Sequence, residues 1–173
     1  MSITRTLTTT GVAVATAALF ALTGTPASAS AAPECRLSQL KVDIGGTQGA
    51  AGHSSAPLIY QNKSSSTCWM RAYPGVAALN SHGVQITQAR RTLRGTMGGL
   101  TGTHLPKVIL APHHVASALV EALNAGPAGH SCGHIPALLT TPPDETHSIK
   151  KSWHGGCYAL QIHPIVPGIT GQG

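Results

Sequence analysis

Short apolar runs bounded by turn residues divide the chain, and their lengths set the first expectation. Residues 37–44, 58–62, 68–73, 76–79, 84–93, 108–110, 135–140 and 158–165 read as strands. Between them lie clusters rich in Gly, Ser, Asn, Thr and Pro at 45–49, 63–67, 80–83, 95–102 and 141–148. Several short strands at this spacing predict an antiparallel sandwich. The long glycine-rich loops are expected to be its mobile parts, and the tail 167–173 is expected to fray. One segment resists this scheme. In 115–123 the apolar residues Val115, Ala118, Leu119, Ala122 and Leu123 follow helical spacing, and Gly126 and Pro127 supply stop signals. A strand with Ala116, Ala118, Val120 and Ala122 facing inward is the competing reading, against the low strand propensity of alanine.

The N-terminus carries a different pattern. Arg5 precedes an apolar run at 11–22, followed by small residues at 27–32. This is the build of a secretory leader, and the run falls short of the roughly 20 apolar residues that cross a bilayer. Cleavage is expected after Ala29 or Ala31, with Ala31 favoured, giving a signal peptide at 1–31 and one domain at 32–173. Cys35 follows Ala32-Pro33-Glu34 rather than a lipobox, so a lipid anchor is not expected. No other segment is long and apolar enough to span a membrane, and the mature chain is expected to be secreted.

Composition narrows the partners. Of eleven Lys and Arg, Arg5 lies in the leader, so ten face five Asp and Glu in a mildly basic domain. The densest basic cluster, Arg90, Arg91 and Arg94, forms no continuous stripe on a strand, because neighbouring side chains point to opposite faces. Only Tyr60, Trp69, Tyr73, Trp153 and Tyr158 remain as aromatics after the leader, too few to stack a nucleic acid strand. No specific nucleic-acid binding is expected. Loose attraction to anionic envelope polymers would weaken with salt. Asn62 opens a sequon with Lys63 and Ser64, yet it also suits the turn that ends its strand.

Four cysteines, Cys35, Cys68, Cys132 and Cys157, in an exported chain point to two disulfides, and three pairings are open. Three other chemistries use the same residues. His130, Cys132, His134, His154 and Cys157 offer zinc ligand types, but at spacings that match no common zinc motif. Gly129-His130-Ser131-Cys132-Gly133 spells a nucleophile elbow, with Asp144 or Glu145 and then His147, His154 or His163 downstream. That elbow needs a parallel strand before it and a helix after it, and neither is expected. Ser152-Trp153-His154-Gly155-Gly156-Cys157 looks like a stretched Ser-His-Gly-Cys motif of L,D-transpeptidases, with one glycine too many. A thiolate nucleophile there would need His154 as base and an unpaired Cys157. The ten histidines otherwise read as scattered surface and turn residues.

The order Ala50-Ala51-Gly52-His53, Pro57 through Asn62, Thr67-Cys68, Tyr73-Pro74-Gly75-Val76, Val108-Ile109-Leu110-Ala111-Pro112, Cys132, Pro142-Pro143 and Cys157 resembles a family of secreted actinobacterial proteins, domain of unknown function 4232. The resemblance covers nearly the whole mature chain. It implies an immunoglobulin-like antiparallel β-sandwich, makes 115–123 a strand, and suggests sequential pairing, Cys35 with Cys68 and Cys132 with Cys157. Each such bridge closes a loop of a few tens of residues, worth about 3 to 4 kcal/mol. The family usually has glycines after Leu-Ala-Pro, where this chain has His113-His114. No catalytic residues carry over.

The reading is an all-β, disulfide-stapled, non-enzymatic domain with long glycine-rich loops. No catalytic, cofactor or metal site is assigned. It is expected to be a monomer that binds an envelope polymer or surface protein. The alternative is a cell-wall-acting cysteine enzyme using Cys157 and His154.

Overall fold

In a strand, side chains four apart share a face, just as they nearly do in a helix. That coincidence explains 115–123. Val115, Leu119 and Leu123 lie on one face of a strand and Ala118 and Ala122 on the other, so burial of both faces mimics helical spacing. The structure, a computed structural model, describes residues 31–173 together with Ser2. The apolar run at 11–22 and the residues up to Ser30 lie outside the described residues.

The described residues form thirteen strands: β1 (Leu40–Ile44), β2 (Gln48–Ala50), β3 (His53–Asn62), β4 (Cys68–Arg71), β5 (Gly75–Leu79), β6 (Gln85–Gln88), β7 (Arg90–Arg91), β8 (Lys107–Leu110), β9 (Val115–Leu123), β10 (Ile135–Thr141), β11 (Ile149–Gly155), β12 (Tyr158–Ile162) and β13 (Val166–Pro167). The segment read locally as a helix is the strand β9. Two short 3-10 turns, Leu37–Gln39 and Pro127–Gly129, are the only helical turns among the described residues.

Sheet one has the order β1-β3-β9-β12-β7, with β2 beside β3 and β13 beside β9. Sheet two has the order β11-β10-β5-β6, and β4 and β8 form a separate ribbon. All named pairs are antiparallel except β7 on β12. β3 and β9 pair along their whole length, from His53 opposite Leu123 to Gln61 opposite Val115. Their inner faces carry Ala56, Leu58 and Tyr60 against Ala116, Ala118, Val120 and Ala122, all buried. Leu138 of β10, Val76 and Ala78 of β5 and Trp153 of β11 join them in one core. The alanines leave room for the large side chains opposite, so close packing of the layers decides against their weak strand propensity. Tyr60 bridges the two sheets through a 2.9 Å hydroxyl contact with Thr140.

Three strands were not expected. β11 is a sheet edge whose Lys150 and Lys151 make it read as polar loop. β2 lies in a glycine-rich stretch and pairs back on β3 through a two-residue hairpin, Ala51-Gly52, with both φ values positive at 48° and 75°. β13 ties the tail to β9. The expected fraying of 167–173 is overturned: the Gly171 N–H donates to Ser117 Oγ at 2.8 Å, and Thr101 donates to the Gly173 carbonyl.

Asn62 is fully buried, and its amide donates to the carbonyls of Ser66 and Leu110. Its side-chain oxygen accepts from Ser64, so the whole group is committed to closing the turn. At the turn before β9, His113 takes the left-handed conformation, φ 66°, that a glycine would adopt freely.

Candidate functional site

A carboxyl group buried on the central strand of a sheet needs hydrogen-bond partners for its oxygens. Glu121 meets that condition on the outer face of β9, opposite Ser55 of β3 and Gln161 of β12. Its side chain is 0 % exposed. The backbone N–H groups of Thr96 and Met97 donate to its two oxygens, each at 3.0 Å. His53 Nδ1 lies 2.6 Å from Oε1 but off the axis of a hydrogen bond, and it has no other partner. His163 Nε2 lies 3.4 Å from Oε2.

The cluster continues into the backbone. His163 Nδ1 sits 3.1 Å from both the hydroxyl and the carbonyl of Thr92. The carbonyl can only accept, so its contact is a hydrogen bond in the tautomer that carries the hydrogen on Nδ1. Thr92 in turn donates its hydroxyl to Gln161 and its N–H to the Ile162 carbonyl. The chain of contacts from Glu121 therefore fixes the segment that follows β7. Gly95 packs directly on the carboxylate, where any side chain would collide. Gly99, at φ 111°, packs on the backbone of Leu93 and Arg94 and on the His163 ring. The loop 95–102, expected to be mobile, is pinned by Glu121 beneath it and by the Gly173 carbonyl at its end.

Of these residues the sequence pointed only to His53, in the Gly-His of the family resemblance, and to His163, as one histidine downstream of the elbow, and it joined neither to Glu121. The available signal was a single acid in an otherwise largely apolar nine-residue strand, in a chain with five acids in all. Its partners come from positions 53, 92, 96, 97 and 163, which no local pattern joins. Eight of the ten histidines are exposed, as expected, whereas His53 is half-buried and His163 fully buried.

The other residues that sequence singled out fall elsewhere. Cys35 bonds Cys68, and Cys132 bonds Cys157. Ser131 is exposed between β9 and β10, after a 3-10 turn and before an antiparallel strand. His154 is exposed on β11, as are Asp144 and His147 in the loop after β10, while Glu145 accepts the Leu37 N–H. Among the described residues no three His, Cys, Asp or Glu side chains converge as metal ligands. Trp69 is half-buried beneath the Lys107 ammonium, 4.1 Å from its ring centre. Arg90, Arg91 and Arg94 are exposed, Arg94 donating to the Thr101 carbonyl.

One surface feature lies where the chain crosses between the sheets. After Gln88 the chain leaves the edge of sheet two, and at Arg90 it joins the edge of sheet one. This crossing leaves a gap between β6 and the first half of β12. The gap is a cavity of about 480 Å3 lined by Ile86, Thr87, Gln88, Arg90, Cys157, Tyr158, Ala159 and Leu160.

Residues 35–164 match the family model described as Domain of unknown function (DUF4232). The chain belongs to this family. No curated protein and no solved structure matches the chain. The DUF4232 match runs from the first cysteine to the residue after His163, so it contains both disulfides, the whole Glu121 cluster and the sheet-switching gap. The tail that covers the outer face of β9 lies beyond it.

Proposed function

We propose that the chain is exported, loses its leader, and acts as a monomeric, non-catalytic binding module of immunoglobulin-like build. Its partner on this reading is a component of the cell envelope or a surface protein. The observation that carries the proposal is the Cys132–Cys157 bond. It occupies the thiol that a cysteine enzyme would need, and it pins the segment holding Ser131. Two disulfides fit an oxidising compartment outside the cytoplasm. Among the described residues no helix is long and apolar enough to cross a membrane. The acidic side chain with the richest set of donors, Glu121, is buried and holds backbone, which leaves the surface to recognition. Two sheets packed face to face support the immunoglobulin-like build.

Intact mass under non-reducing conditions, combined with thiol labelling of the exported protein, tests the non-catalytic reading. Two protected disulfides are expected. A free Cys157 that labels rapidly would overturn the proposal in favour of a cysteine enzyme with His154 as base. Capture of envelope fractions on the immobilised protein, with elution by salt or competing fraction, tests the binding half.

A further inference from the structure

The geometry points to the sheet-switching gap as a peptide site for an extended C-terminal segment, with aliphatic side chains and a free α-carboxylate. This deepens the binding-module reading and rests on it.

Two strand edges face the gap. β7 pairs with β12 only at Gln161 and Ile162, so Tyr158, Ala159 and Leu160 have no strand beside them on that side among the described residues. β6 is the last strand of sheet two, and its outer edge is likewise unpaired. Exposed edges are ordinarily blunted by charge. The far edge strands here obey that rule, with Lys41 and Asp43 on β1 and Lys150 and Lys151 on β11. β6 reads Gln-Ile-Thr-Gln and carries no charge at all. A bulge places Gln85 and Ile86 together opposite Leu79, which re-aims the strand beside the gap.

The lining is amphipathic in a way that suits a peptide. Ile86 is 55 % exposed and Tyr158 46 % exposed, while Leu160 at the floor is 4 % exposed. Of the residues lining the gap only Arg90 is charged. Its planar fork matches a carboxylate in two parallel hydrogen bonds. A volume of about 480 Å3 suits two or three residues.

The position of Arg90 decides between an internal acidic side chain and a chain end. β7 itself closes the gap at Gln161, and Arg90 is its first residue. A strand entering from the Cys157 end therefore cannot run on. It must stop where β7 begins, with its terminal carboxylate at Arg90. It would lie parallel to β12, on the line that β7 continues, and add a strand to an open edge.

The test uses a set of N-acetylated pentapeptides with free C-termini and Val, Ile or Leu at the last and third-last positions, each paired with its C-terminal amide. They are titrated into the isotope-labelled, oxidised full chain and followed by amide chemical shifts. The expected result is saturable binding with shifts centred on residues 86–90 and 158–160. Amidation should weaken it at least tenfold. Arg90→Gln should weaken the carboxylate peptides at least tenfold and leave the amides within twofold, whereas Arg91→Gln should change neither. No binding by any peptide, equal binding of acid and amide, or shifts elsewhere would overturn the proposal. A wild-type envelope capture that Arg90→Gln and Ile86→Glu both reproduce would also overturn the gap site, while leaving the module reading intact. Peptide binding at the gap without any envelope capture would do the reverse.

Discussion

The two faces of β9 are built on different principles, although both are buried. The inner face, Ala116, Ala118, Val120 and Ala122, meets the apolar faces of sheet two, and its stability comes from area removed from water and close packing. The outer face carries Ser117, Leu119 and Glu121, and it is covered by irregular backbone, the loop 95–102 and the tail after β13, together with the imidazoles of His53 and His163. Irregular backbone brings unpaired N–H groups with it, and these need acceptors. Glu121 supplies two and Ser117 one. An apolar inner face can accept any side chain of suitable volume. The outer face can be covered in this way only because specific oxygens stand where the backbone donors arrive.

The largest test of that contrast sets Glu121→Ala against its neighbour Val120→Ala. Removing the carboxylate leaves two part-buried backbone donors and two imidazoles without their partner, an expected loss of about 3 to 5 kcal/mol. Val120→Ala deletes about two buried methylene equivalents, near 2 kcal/mol. Denaturant unfolding measures both, and hydrogen exchange should show protection of the Thr96 and Met97 amides lost in Glu121→Ala alone. Equal losses and equal exchange would mean the outer cluster is ordinary packing.

The second test moves to the ends of the sheets. The Cys132–Cys157 bridge closes a loop of 25 residues and the Cys35–Cys68 bridge one of 33, so each is worth about 3 to 4 kcal/mol by chain entropy. Cys132→Ser, with Cys157 also replaced to avoid a stray thiol, should lower the melting temperature markedly and be indifferent to chelators. Unchanged melting would show that the bridge is not structural.

How far the residues announced this molecule differs between the same two faces. The inner strands were legible because their alternation is local: Leu58 and Tyr60 on β3, Val76 and Ala78 on β5. β9 itself was ambiguous, since a strand buried on both sides loses the polar positions that mark its period. The edge β11 was hidden because Lys150 and Lys151 interrupt its apolar pattern, Lys151 reaching across to Asp43 of β1. The Glu121 cluster was not legible at all, as it joins positions up to 110 residues apart through backbone donors that any residue could supply. The glycines of 95–102 were visible, but they read as freedom, whereas Gly95 and Gly99 are there to let backbone approach Glu121 and His163 closely.

A smaller test addresses the one polar contact made across the inner core. Burial pushes the Tyr60 phenol above its ordinary range, and the Thr140 hydroxyl bond only partly opposes this. Tyr60→Phe should cost about 1 kcal/mol at neutral pH through the lost hydrogen bond. A group whose folded value is raised contributes stability that is complete below its unfolded value, about 10 for tyrosine, and is lost as pH rises beyond it. Wild-type stability should therefore fall above pH 10, and Tyr60→Phe should fall less steeply. Parallel curves would place the alkaline loss on other groups, Tyr73 first among them, since partial burial raises it too.

The smallest expected effect is a gain, at the turn that delivers the chain into β9. His113 holds φ at 66°, a conformation that costs a residue with a Cβ about 1 to 2 kcal/mol. Its N–H is used, donating to the Asn62 carbonyl at 2.8 Å, but its side chain is exposed. Glycine would keep the backbone bond and relieve the conformational cost, offset by its own greater entropy when unfolded. His113→Gly should therefore stabilise the domain by about 0.5 to 1 kcal/mol, read as a rise in the denaturation midpoint with unchanged slope. A loss instead would mean that the imidazole itself does something at this turn that glycine cannot replace, and His113→Ala, which keeps the strain and removes the ring, would then lose more than the glycine variant.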